Sequence, residues 1–145
     1  MIGLVGPFEY CVFWSNEETP EDWDHGAAAY VTSPADARYL EERFRPLSDS
    51  HGFELSMGTD DATANPVVLR ALNETLDAAI QDVTARPDTW PVILGYRPVP
   101  FGQPLVDPIT AEASKERLLS SLPQMKRVVL KALRDGGYVH VISGT

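Results

Sequence analysis

Cysteine is nearly missing from this chain. Cys11 is its single copy, so no disulfide can form within the 145 residues. It sits in "YCVFW", where a small buried hydrophobe is expected and burial works against a reactive thiol. Long apolar runs are missing too, and none approaches the roughly 18 residues that a membrane span requires. The opening "MIGLVGPFEY" has no basic start and meets Glu9 early, so the sequence predicts no secretory leader and a cytoplasmic protein. Phosphate-binding G-x-x-x-x-G-K-[ST] and G-x-G-x-x-G patterns do not occur. A G-x-S-x-G elbow fails at its first glycine, because Glu54 precedes Ser56 and Gly58. His25, His51 and His140 have no metal-ligand spacing, and His140 is expected to be a satisfied structural histidine. No catalytic residue, metal or cofactor is therefore expected.

The first part of the chain is also poor in positive charge. Residues 1–61 hold thirteen acids against Arg38, Arg43 and Arg45, a balance of −10; residues 62–145 hold eight acids and nine bases, a balance of +1. An acidic face repels nucleic acid and anionic membrane, whose recognition runs on lysine and arginine. It attracts basic proteins and speeds their association. The simpler role of such charge is solubility, but the asymmetry between the two parts points to a partner.

What is present reads as one domain spanning 1–145, with the apolar and charged content of an ordinary globular protein. "FEYCVFW" (8–14) and "AAAYVT" (27–32) read as strands of a hairpin with an acidic loop at its tip. "SPADARYLEERF" begins a helix with Ser33 as cap and Pro34 in the first turn, burying Ala37, Leu40, Phe44 and Leu47 and ending at Pro46. "FELSM" (53–57) alternates as a strand. "NPVVLRALNETLDAAIQDV" is a helix capped by Asn65, with Leu69, Leu72, Leu76, Ile80 and Val83 on one stripe. "WPVILGY" (90–96) reads as an inner strand. After a proline-bearing loop, 111–122 reads as a helix and Pro123 as the start or kink of a second one. That helix stops at Gly136-Gly137 before a last strand, 138–142. Strands separated by helices imply crossovers. The expected fold class is α/β, or α+β, with a mixed, partly parallel sheet of about five strands under three to four helices.

Two groups of residues are candidates for function. "NEETPEDWDHG" (16–26) sets Glu17, Glu18, Glu21, Asp22 and Asp24 around Trp23 with no base among them. Their spacing matches no EF-hand template. They form either a solvated loop or a surface for a basic protein, with Trp23, and Phe101 from the proline loop, as anchors. The second group is Asp60 and Asp61 after the 53–57 strand, with Tyr96 and Arg97 at the mouth of the 97–108 loop. Turn chemistry alone explains acids at the first of these sites. If sheet order brought the four together, they would make a ligand or enzyme cleft with Arg97 as an anion clamp. Arg127, Lys131 and Arg134, with Lys126 near, form a basic side of the last helix. Too sparse for nucleic acid, they are suited at most to an acidic face of a second copy.

The resulting expectation is a non-catalytic acidic protein that docks a basic protein surface, in the general character of an immunity or inhibitor protein for a bacterial toxin. The alternative is a small enzyme or ligand-binding domain using Asp60, Asp61, Tyr96 and Arg97.

Overall fold

The computed structural model describes residues 8–22, 24, 27–51, 61–97 and 107–143. Along the chain run β1 (Tyr10–Ser15), β2 (Ala29–Val31), α1 (Pro34–His51), β3 (Asp61–Thr63), α2 (Pro66–Thr84), β4 (Thr89–Arg97), β5 (Asp107–Ser114), α3 (Lys115–Asp135) and β6 (Tyr138–Ser143). The class is α+β, with three helices and two antiparallel sheets among the described residues: four strands ordered β2-β1-β6-β3, and the pair β4-β5. The expected mixed, partly parallel sheet of five strands is corrected by this topology. The last strand returns to lie between β1 and β3, so strands that helices separate do become neighbours, but they run antiparallel.

The helices begin where their caps dictate. The Ser33 hydroxyl accepts from Asp36 N at 3.5 Å, Asn65 Oδ1 from Val67 N at 2.9 Å, and Ser114 Oγ from Arg117 N at 3.3 Å. They end less predictably. The helix expected to stop at Pro46 continues through it to His51, and the two helices expected around Pro123 are one, α3. A proline inside a helix removes one backbone bond at a cost of about 3 kcal/mol. Leu47 after the first proline, and Leu122 and Met125 around the second, are buried deeply enough to offset it. The segment 107–114, expected to be loop and then helix, is instead strand β5. The 90–96 strand accordingly lies in an outer hairpin, not inside the main sheet. The expected 53–57 strand lies outside the described residues.

Period-two alternation gives the main sheet two distinct faces. Tyr10, Val12, Ala29, Val31, Val139 and Val141 point into the principal core, where α3 lies across the sheet. α2 packs against α3, α1 against α2, and the β4–β5 hairpin lies on α1 through Trp90, Val92 and Ala113. A gap of about 20 Å³ among Val12, Phe44, Leu72, Leu76, Met125, Val129 and Val141 has only apolar walls, so it holds neither water nor a polar ligand. The opposite face of the sheet carries Cys11, Phe13, Tyr30, His140 and Ile142. There Cys11 is buried and Phe13 stacks on the His140 ring at 4.8 Å.

Candidate functional site: the β1–β2 loop and the groove beside it

The hairpin expected to carry the acidic loop at its tip is present, with Tyr10 facing Val31 and Val12 facing Ala29. Its connection leaves the sheet at Ser15 and is fixed at the root by two hydrogen bonds. Glu17 N donates to Ser15 Oγ at 3.0 Å, and His140 on β6 meets the Glu17 carbonyl at 3.0 Å through Nε2. A carbonyl only accepts, so Nε2 carries the proton. Burial pushes the His140 pKa below its ordinary value, and the bond to the Glu17 carbonyl opposes that in part. The histidine expected to be structural is therefore a neutral post under the acidic loop.

Beyond that root, Glu17, Glu18, Glu21, Asp22 and Asp24 are all exposed. Glu17, Glu18 and Glu21 enter no ion pair among the described residues. Ser15, Asn16, Glu17, Thr19, Glu21 and Asp22 line an open hollow of about 560 Å³. Among the described residues no three acidic, histidine or cysteine side chains converge as metal ligands would. Trp23, the expected anchor within the loop, and Phe101, the second anchor, lie outside the described residues.

Three acids of α1 are treated differently. Arg38 lies 3.4 Å from Glu41 and 3.9 Å from Glu42, and Tyr10 donates its hydroxyl to Glu41. Asp36, almost fully buried, accepts from Arg117 Nε at 2.7 Å, from Arg117 Nη2 at 3.3 Å and from Ser114 N at 3.0 Å. Among the described residues of this part of the chain, the β1–β2 loop is thus the densest run of exposed acids, with exposed Asp49 and half-buried Glu9 standing apart from it.

The second candidate group is divided between the two sheets. Asp61 opens β3, at the edge of the four-stranded sheet, opposite Val141. Tyr96 and Arg97 end β4 in the two-stranded sheet, where Tyr96 is 59% exposed. Arg97 spends its charge on Asp107 across the hairpin, with Nε 3.2 Å from Oδ2. Asp60 lies outside the described residues.

Sequence reasoning missed a groove of about 600 Å³ between the acidic loop and α3. It is lined by Trp14 of β1, by Asp24, Ala27 and Ala28 from the connection to β2, and by Gln124, Arg127, Val128 and Lys131 of α3. The Trp14 indole donates to Gly136 O at 2.7 Å, and Lys131 Nζ lies 4.5 Å above the ring. Gly137, at φ 94°, lies so close that an added Cβ would stand 2.8 Å from both Ser15 O and Trp14 Nε1. The helical spacing of Arg127 and Lys131 was legible in the sequence. Trp14, inside an apolar strand, gave no sign that its edge borders a groove.

Of the basic row on α3, Lys126 pairs with Asp77, while Lys131 and Arg134 share Asp135. Arg127 is exposed and has no carboxylate partner among the described residues. Compared with protein-family models, with curated proteins and with solved structures, the chain matches none.

Proposed function

We propose that this chain is a non-catalytic acidic binding protein that docks a basic protein surface through the β1–β2 loop. Its character is that of a cytoplasmic immunity or inhibitor protein that blocks a bacterial toxin. One observation carries the reading: the loop holds five exposed carboxylates within eight residues on a fixed root, whereas Asp36, Glu41 and Glu42 of α1 are tied into ion pairs. Carboxylates left in water keep their long-range field, and that field steers a cationic partner before contact. Trp23 and Phe101 are the proposed apolar anchors, supplying the short-range energy that steering alone does not.

The enzyme reading with Asp60, Asp61, Tyr96 and Arg97 has no comparable support, since Arg97 is engaged by Asp107. Self-association through the α3 bases has little, because most of that row is paired within the chain.

The test begins with capture of the partner at low salt and its identification by mass spectrometry. Association rates are then measured by stopped flow across ionic strength. The expected result is a steep fall in rate with salt, and a fall of about tenfold for Glu18→Lys/Glu21→Lys at low salt. Rates indifferent to both salt and charge reversal reject the reading.

A further inference from the structure

We propose that the groove between the β1–β2 loop and α3 binds a small organic carboxylate with an apolar body, held at its charged end by Arg127 and Gln124. The inference goes beyond the steering role of the loop acids and does not depend on it.

The α3 residues that line the groove, Gln124, Arg127, Val128 and Lys131, are spaced i, i+3, i+4 and i+7, so they form one stripe of the helix. The polar members of that stripe are not equally occupied. Lys131 lies 3.4 Å from Asp135 and 4.5 Å from the centre of the Trp14 ring, so its charge is already shared. Arg127 and Gln124 make no hydrogen bond or ion pair among the described residues. Residues three apart on a helix are neighbours, so one ligand group can reach both. A guanidinium fork meets a carboxylate in two parallel bonds, and the glutamine amide supplies a further donor.

Charge limits the ligand to a monoanion. Lys126, Lys131 and Arg134 each have a carboxylate partner, so Arg127 is the base of this stretch left to match a single negative charge. A phosphate dianion or a polyanion brings more charge than Arg127 offsets, to a chain whose net charge is −9. Asp24 also borders the groove, but it is already engaged, and a carboxylate has no donor for an anion. The rest of the lining decides the body. Trp14, Ala27, Ala28 and Val128 are apolar, so a hydrocarbon group gains there by leaving water. A volume of about 600 Å³ admits a ring-sized ligand. Because the Trp14 indole is fixed by Gly136 O, its part of the lining is in place before anything enters.

The probe is phenylacetate, titrated at constant ionic strength into ¹⁵N-labelled protein. The Trp14 indole N–H resonance is assigned with Trp14→Phe and the Arg127 Nε–H resonance with Arg127→Gln. Phenylacetate is expected to shift both, with saturation by roughly 10 mM. Acetate has the charge without the body, and phenylacetamide the body without the charge; each should bind at least about tenfold more weakly. Inorganic phosphate should do no better than acetate. Arg127→Gln should weaken phenylacetate at least about tenfold, and Arg127→Lys, which keeps the charge but not the fork, should recover only part of that loss. Gln124→Ala should weaken it by a smaller factor. Glu18→Gln/Glu21→Gln protein, which removes loop charge without touching the groove, should still bind, so failure here is separable from failure of the loop to steer a basic partner. Three results overturn the proposal: no saturable shift at Trp14 and Arg127, undiminished binding by folded Arg127→Gln protein, or binding of acetate, phenylacetamide or phosphate as tight as that of phenylacetate.

Discussion

The β1–β2 loop and the junction of α1, α2 and α3 use the same residue types to opposite ends. At the junction, carboxylates are matched, Asp36 in full burial and Asp82 half-buried. Asp36 lies under Arg117, and Asp82 accepts from the Tyr39 hydroxyl at 2.6 Å and from Arg43 and Arg86 at 2.8 Å each. Arg86 lies over both Tyr39 and Trp90, at 5.2 and 4.8 Å. In the loop, three glutamates face water and none pairs within the described residues. The difference teaches where each kind of charge acts. A desolvated pair is costly to break and carries almost no field outward. A solvated carboxylate adds little to stability and keeps its field for a partner.

The largest break in this comparison is expected at the Asp36–Arg117 pair, and it should be asymmetric. Asp36 is 4% exposed and Arg117 47%. Arg117→Ala leaves a buried carboxylate held mainly by Ser114 N and should cost about 3 kcal/mol. Asp36→Ala leaves a guanidinium that turns to water, and costs about 1.5 kcal/mol through the orphaned Ser114 amide. The double variant should resemble Asp36→Ala alone. Urea midpoints of all three give the cycle. Equal single losses that simply add would show that the pair is no more coupled than a surface bridge.

His140 belongs to the loop region: buried on the sheet face away from the helices, its ring holds the loop root. Burial keeps its folded pKa low, whereas in the unfolded chain the imidazole titrates near about 6.5. The unfolded state therefore binds more protons below that pH. The contribution of His140 to stability is complete above about pH 6.5 and is lost as pH falls through the folded pKa, with a slope of at most about 1.4 kcal/mol per unit. His140→Phe keeps a ring against Phe13 and removes the titration. Wild type minus variant, measured by urea unfolding at pH 7.5, 6.5 and 5.5, should shrink toward acid; parallel curves would remove His140 as the acid-sensitive post.

Much of this arrangement was legible in the chain because its signals are local. The first hairpin, the Asn65 cap and stripe of α2, the Gly136-Gly137 stop and the last strand all follow from spacing and turn chemistry. What failed was set by distant partners. "AEAS" has helix-forming residues, yet it is strand because β4 supplies its ladder: Ala111 faces Val92 and Ala113 faces Trp90. The helix starts only after Ser114, which caps it. Nothing local announces that β6 inserts between β1 and β3, so crossover logic gave parallel neighbours where the sheet is antiparallel. For the candidate site, the loop acids were readable as a run of like charge. The groove was not, because it forms between Trp14, the end of the loop and a helix more than a hundred residues later.

A smaller test within the junction is Tyr39→Phe. Burial, and then the bond to Asp82, raise the phenol pKa to about 12, so the hydroxyl is a donor at every working pH. Against its own burial, Asp82 is held below the usual carboxylate range by the Tyr39 hydroxyl and by Arg86 and Arg43. Removing the hydroxyl leaves the carboxylate two guanidiniums, so the loss should be about 1 kcal/mol and independent of pH between 6 and 8. A loss near that of Arg117→Ala would mean the tyrosine, not the arginines, holds the junction.

The smallest effect is expected where the charge is densest. Glu18→Gln/Glu21→Gln removes two exposed carboxylates from a loop whose other acids are close by, and it breaks no ion pair among the described residues. Surface changes of this kind move stability by no more than about 0.5 kcal/mol, and relief of like-charge repulsion gives the shift a stabilising sign. Added salt screens that repulsion in the wild type, so the gap between the two proteins should narrow as ionic strength rises. Urea midpoints at 20 mM and 500 mM sodium chloride read both the sign and the narrowing. A destabilised variant would show that these glutamates hold the fold as the junction acids do, and the contrast between the two regions would collapse into one structural use of charge.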